Sequence, residues 1–219
     1  MREEDPHTAT WATVAPTQII GTRSRFEVDL NRPREKAVYQ TPADAWGLRV
    51  WHTALTVELV QRSLDEYDQV YETVGKLVTR MVQREGRVAV LDLHTYNHHR
   101  SGPEAPFEDS TLNPQVNIGT GTMDRSRWGT VVDRFIADLQ KFDFPGGRLD
   151  VRENVKFRGG HFGKWIHEHF PTSVCVLSIE FKKFFMDEWT GIANEHMVEA
   201  IRKSLESTLP GLREELAKL

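Results

Sequence analysis

The chain of 219 residues carries 28 Lys and Arg against 32 Asp and Glu, giving a formal charge of -4 and an isoelectric point of about 6.1. No net basic field exists to hold nucleic acid or an anionic membrane surface. A hydrophobic content of 39% with six Trp and eleven Phe is too rich for a disordered chain, and a single cysteine excludes a disulfide framework and any cysteine-built zinc knot. No stretch approaches the roughly 18 uninterrupted apolar residues of a membrane span, and Met1 to Pro6 lacks the apolar core of a secretion signal. A cytoplasmic protein of one domain over 1–219 is the expectation.

The acidic start Glu3-Glu4-Asp5 leads into two short runs, Thr17 to Thr22 and Phe26 to Leu30, which read as strands. If the second is a strand, Arg23, Arg25, Glu27, Asp29 and Asn31 share one face opposite Phe26, Val28 and Leu30. Such a face suits either recognition of carboxylates by guanidinium forks or an internal ion-pair network.

From Thr56 to Glu85, apolar residues Val57, Val60, Leu64, Tyr67, Tyr71, Val74, Val78 and Met81 recur at spacings of three and four. This predicts a long helix stopped by Gly86, forming a coiled-coil seam or packing on a sheet. Arg87 to Leu93 is the next strand. Its end places Asp92 and His94 on one face, where an imidazole can serve as a zinc ligand or as a hydrogen-bonded core histidine.

Asn97 to Pro114 is the one long irregular segment, compatible with a lid or a solvated insertion. A helix is predicted over Asp124 to Gln140 with Asp124 as N-cap. Then comes Lys156-Phe-Arg158-Gly-Gly160-His161, whose glycines let backbone approach a ligand closely. Gly163 to Phe170 and Asn194 to Leu209 read as helices. Between them Ser173 to Phe181 is a strand, with Ser178, Glu180 and Lys182 on one face. Glu180, at the end of an apolar strand, is a general-base candidate or the partner of Lys182 or Lys183. Cys175 within Val174 to Leu177 reads as a small buried hydrophobe. Strands alternating with helices make this an α/β protein, with a mixed, mostly parallel central sheet flanked by helices.

Four segments in this order, Arg-x-Arg-x-x-x-Asp-Leu-Asn-Arg (Arg23 to Arg32), Asp-Leu-His-Thr-Tyr (Asp92 to Tyr96), Gly-Gly-His (Gly159 to His161) and Ile-Glu-Phe-Lys-Lys-Phe-Phe-Met-Asp-Glu (Ile179 to Glu188), resemble the N-formylglutamate amidohydrolase family. The resemblance implies a zinc-carboxypeptidase-like fold, distantly related to aspartoacylase. It also implies zinc-dependent hydrolysis of the amide of N-formyl-L-glutamate or a related N-acyl amino acid, with one zinc ion.

Carried onto this chain, it makes His94 and Glu4 metal ligands, with Asp5 next in line to Glu4, and places Asp92 behind His94. Glu180 becomes the catalytic base. Arg25, Asn31 and Arg32 would hold the substrate carboxylate, with Arg158 and His161 of the glycine segment as further substrate contacts. The family's earlier His-x-Gly motif has no counterpart before Glu4, so the resemblance implies a domain shortened at its N-terminal side and a metal site with one ligand fewer. The alternative expectation is a non-catalytic family member that keeps an anion pocket of Arg25, Arg32 and Arg158.

Overall fold

The structure, a computed structural model, describes residues 3–219. Its elements run α1 (Thr8–Ala12), α2 (Val57–Glu85), β1 (Val88–Tyr96), β2 (Val116–Gly119), α3 (Arg125–Lys141), β3 (Val151–Glu153), α4 (His161–His169), β4 (Val174–Lys182) and α5 (Glu195–Lys218). They fall into two compact units, one formed by 20–86 and the other by the residues up to 19 together with 87–219. No helix among the described residues is long and apolar enough to cross a membrane.

The larger unit holds a four-stranded sheet in the order β1-β4-β2-β3, parallel within β1/β4 and β2/β3 and antiparallel between β2 and β4. The α/β class with a mixed, mostly parallel sheet is therefore as expected. Alternation along β4 sends Cys175, Leu177, Ile179 and Phe181 to one face, where they join Val116 and Ile118 of β2 in a core closed by α3, α5 and Trp11 of α1. Ser178, Glu180 and Lys182 project from the other face. The strand is thus apolar on one face and polar at the end of the other.

Asp124 caps α3 as expected, its carboxylate accepting from Ser126 N and Arg127 N. Helix α5 runs well beyond the expected stop at Leu209, through Pro210 to Lys218. The proline removes one intrahelical bond, but Gly211 sits so close to Arg134 and Asp138 of α3 that a Cβ there would collide with Asp138 Oδ2. Together with buried Leu212 and the Arg134–Glu214 ion pair at 2.7 Å, this packing carries the helix past the interruption. Strands β2 and β3 are too short to show a period in the sequence, and they exist because β4 and β2 offer them a ladder.

In the 20–86 unit, Thr56 caps α2 through Leu59 N at 3.3 Å and Gly86 ends it at φ 76°. The two segments expected as strands before it, Thr17 to Thr22 and Phe26 to Leu30, are instead irregular chain and turns. Glu27 N and Val28 N both bond to Ser24 O, at 2.9 and 3.3 Å, so local turn closure takes the donors a ladder would need. Ile19 and Ile20 stand 52% and 47% exposed, with no apolar layer to reward a strand there. The proposed common face of Arg23 to Asn31 accordingly gives way to helical-turn pairing, Arg23–Glu27 at 2.8 Å and Arg25–Asp29 at 2.9 Å. Helix α2 holds this segment down: the Tyr71 hydroxyl donates to Leu30 O at 2.6 Å and that of Tyr67 to Arg32 O at 2.9 Å.

Candidate active site

The carboxyl ends of parallel β1 and β4 lie side by side, the usual place for a site in an α/β sheet. Register sets His94 opposite Glu180 and Asp92 opposite Ser178. His94 Nε2 lies 3.0 Å from Asp92 Oδ1, and an acceptor-only carboxylate makes that nitrogen the donor. Asp92 Oδ2 accepts from the Ser178 hydroxyl at 3.2 Å, which fixes the carboxylate and through it the ring. The other ring nitrogen, Nδ1, stands 3.6 Å from Asp5 Oδ2.

Asp5 reaches this point because β1 ends the sheet. The Thr95 N–H, on the edge of β1 away from β4, donates to Asp5 Oδ1 at 2.7 Å, and the Thr95 hydroxyl donates to the same oxygen at 3.3 Å. The Asp5 carboxylate thus meets His94, and the Glu4 carbonyl accepts from Lys183 Nζ at 2.9 Å. Burial opposes charge on the imidazole, but Asp92, Asp5 and Glu180 together outweigh it and hold the His94 pKa well above 6.5.

Two carboxylates beside one imidazole, with Glu180 opposite it in the ladder, is an arrangement that calls for positive charge. Two of its members also meet the spacing of a metal's ligands. A nitrogen and an oxygen each about 2.1 Å from a tetrahedral zinc stand about 3.4 Å apart, close to the Nδ1–Oδ2 separation of 3.6 Å. Asp5 and His94 thus fit two corners of such a site, with Asp92 fixing the ring. No group of three or more His, Cys, Asp or Glu side chains placed to hold a metal occurs among the described residues.

The wall beside Glu180 is built by β2. Asn117, fully buried and opposite Glu180 in the antiparallel register, donates from Nδ2 to Phe157 O at 2.8 Å and accepts Lys156 N–H at Oδ1 at 2.8 Å. One amide therefore pins the glycine segment beside the strand that carries the candidate base. The approach is close enough that a Cβ on Gly119 would meet Gly159 N at 2.5 Å. Arg158 lies exposed on this segment, its carbonyl accepting Gly121 N–H at 2.7 Å, and His161 opens α4 after an N-cap glycine. Tyr96 closes the end of β1, its hydroxyl donating to Pro114 O; burial, then the charge of Glu180, raises its pKa.

Two further charged residues prove to position the site. Lys183, 2% exposed, ties Glu4 O to Asn97 Oδ1 at 2.9 and 2.8 Å, bracing the chain next to Asp5. Glu188 Oε1 accepts from His98 N at 2.6 Å and His99 N at 3.2 Å, fixing the turn that leaves β1. Both lie in the Ile179 to Glu188 motif, where a Lys and a Glu bracketing Phe-Phe-Met were the available signal. The 97–114 segment is further strapped by Lys156 to Glu108 at 3.0 Å and by Arg152 to the carbonyls of Ser110 and Thr111, both at 2.6 Å.

Arg25, Asn31 and Arg32 belong to the 20–86 unit. There Asp29, 2% exposed, gathers the Tyr39 hydroxyl at 2.6 Å, Arg25 at 2.9 Å, Asn31 N at 2.8 Å and Arg32 at 3.7 Å. Burial, then the bond to Asp29, pushes the Tyr39 hydroxyl up to about 12, so it stays a donor.

A model of the N-formylglutamate amidohydrolase family matches residues 1–186, a span holding the Asp-Leu-Asn-Arg, Asp-Leu-His, Gly-Gly-His and Ile-Glu segments. The chain belongs to the N-formylglutamate amidohydrolase family. No curated protein matches it. Among solved structures it is similar to the crystal structure of N-formylglutamate amidohydrolase from Ralstonia eutropha JMP134, with a TM-score of 0.62 and 18% identity over 89% of this chain and 75% of that one. That likeness shows the fold. Membership in the amidohydrolase family supports an enzyme that hydrolyses an amide.

Proposed function

We propose that the chain hydrolyses the amide bond of N-formyl-L-glutamate or a closely related N-acyl amino acid, with one zinc ion, giving formate or another acid and the free amino acid. The observation that carries the reading is the convergence of Asp5, Asp92 and Glu180 on His94 at the ends of β1 and β4. His94 would hold the metal together with a carboxylate of the acidic start, and that of Asp5 lies 3.6 Å from His94 Nδ1. When bound, zinc polarises a carbonyl and acidifies a water.

Glu180 takes the proton of the attacking water and hands it to the departing amine nitrogen, a role that suits a carboxylate at the rim of an apolar strand. Asp92 keeps the His94 ring in one tautomer. Arg25, Asn31 and Arg32 take the substrate carboxylate, with Arg158 and His161 as further contacts.

The test is formate release from N-formyl-L-glutamate as zinc is titrated into the chain. Turnover that rises with zinc is expected. A zinc-loaded chain that leaves N-formyl-L-glutamate and related N-acyl amino acids intact overturns the reading, and if it still binds L-glutamate it is a carboxylate-binding member of the family.

A further inference from the structure

Residues Thr41 to Leu48 of the 20–86 unit hold an aromatic side chain where the backbone calls for a glycine. Asp44 Oδ2 accepts the N–H groups of Gln40 and Thr41, at 3.1 and 2.8 Å, and Gly47 N–H closes the turn on Pro42 O at 2.7 Å. Closure over six residues in this way, the pattern that ends helices, leaves the residue before the closing donor left-handed, a place taken by Gly and sometimes Asn. Here that residue is Trp46, at φ 54°, and the glycine stands one position later at φ 88°. A bulky side chain in this region is strained.

Burial does not offset that strain, since Trp46 is 57% exposed. What the indole does is cover two cations. The Arg25 guanidinium lies 5.4 Å from its ring centroid and that of Arg32 5.5 Å, and Tyr39 stands 5.9 Å away. Arg32 also lies 4.3 Å from the Tyr39 ring and donates to the Asp44 carbonyl at 3.1 Å. The two guanidinium planes are thus held by Asp29 from within and by Trp46 from outside, with their side chains still 30% and 26% exposed.

We propose that Trp46 is a specificity-determining residue of a carboxylate site, its indole flanking Arg25 and Arg32 so that the three together take the carboxylate of an amino-acid derivative. This rests on the assignment of those arginines to the substrate carboxylate made above. The ring orders both forks through cation–π contact before the ligand arrives. It also keeps water from one side of the ion pair, which strengthens charge-assisted bonds to a flat carboxylate.

Strain and function predict opposite responses to one substitution. In the full chain, Trp46→Gly relieves the left-handed backbone, so the thermal midpoint stays level or rises. The Kd for L-glutamate, measured by calorimetry, weakens about tenfold. Trp46→Phe keeps the ring and holds Kd within about threefold of the wild type. Arg32→Gln separates this proposal from the assignment beneath it. If Arg32→Gln weakens binding and Trp46→Gly does not, or if Trp46→Gly lowers the midpoint, the role of Trp46 is overturned and the arginine site stands. If neither substitution moves Kd, or the wild-type chain binds no L-glutamate, the carboxylate assignment falls and the proposal with it.

Discussion

On β1 and β4 the candidate groups are spaced by backbone: the ladder fixes His94 opposite Glu180 and Asp92 opposite Ser178 whatever their side chains are. Between Arg25 and Trp46 no ladder exists, and Arg25, Asp29, Arg32 and Tyr39 are held by one another through ion pairs, a hydroxyl and ring contacts. A site written on strands can lose a functional group and keep its frame. A cluster written in side chains cannot, because each member is scaffold for the others. Substitutions in the first region should therefore separate activity from stability, and those at Arg25, Asp29, Arg32 and Tyr39 should mix them.

Neighbouring residues of β4 give the sharpest break. Glu180→Gln, on the polar face, is expected to lower kcat by about 10²–10⁴-fold while leaving zinc binding and the urea midpoint near those of the wild type. Phe181→Ala, one residue on and fully buried against Trp11 at 5.1 Å, is expected to cost about 3–5 kcal/mol of stability. Kinetics and urea titrations on the two variants decide the matter. A Glu180→Gln chain that loses stability and metal binding along with turnover would make the glutamate a structural residue.

The same difference explains what the sequence disclosed. The strand period put Asp92 with His94 and Ser178 with Glu180 on common faces, and the helix period located α2 and α3, because both signals are intrinsic to the backbone. Asp5 contacts His94 across some ninety positions of chain through the edge of β1, and no local pattern encodes a contact of that range. Asn117 stood in a run too short to show alternation, and Lys183 and Glu188 were visible as charges but not as braces. The segment from Arg23 to Asn31 misled because its alternation of charge and apolar residues satisfies a strand and a string of i, i+4 turn pairs equally well. Only the hydrogen bonds from Glu27 and Val28 to Ser24 choose between them.

Behind the proposed metal pair, Asp92→Asn tests whether a carboxylate or merely a hydrogen-bond acceptor orients His94. Loss of the charge should weaken zinc affinity about 10–100-fold in a chelator competition, with the fold retained because the β1 ladder is untouched. Unchanged affinity would leave Asp92 a packing residue satisfied by Ser178.

Acid should find the larger unit through two histidines outside the cluster. Burial, followed by the charges of Lys182 and His99, lowers His98 to about 4. Burial likewise lowers His167, whose Nε2 accepts Val176 N–H at 3.0 Å and whose Nδ1 therefore donates to the Thr122 hydroxyl at 3.1 Å. Both folded values lie below the unfolded value of about 6.5, so the unfolded chain takes up protons first as pH falls. Stability is then full above pH 6.5 and declines below it, by at most about 1.4 kcal/mol per pH unit for each histidine, with the His98 contribution levelling off below about 4. Urea midpoints at pH 7 and 5.5 measure the slope, and His98→Gln should reduce it; an unchanged slope would assign the acid sensitivity elsewhere.

The smallest effects belong to the 20–86 unit, and there burial rather than charge should rank them. Tyr39→Phe removes one donor from buried Asp29 and is expected to cost about 1–2 kcal/mol, visible as a lower thermal midpoint. Arg34 makes a better-looking contact, a two-pronged pair with Asp68 at 2.7 and 2.9 Å, yet both side chains are about half exposed, 45% and 50%. Water already serves those groups and the pair must order two long side chains to form. Arg34→Gln should therefore leave the midpoint unmoved, whereas a loss matching that of Tyr39→Phe would show that surface pairs help to frame this unit and that its frame extends beyond the Asp29 cluster.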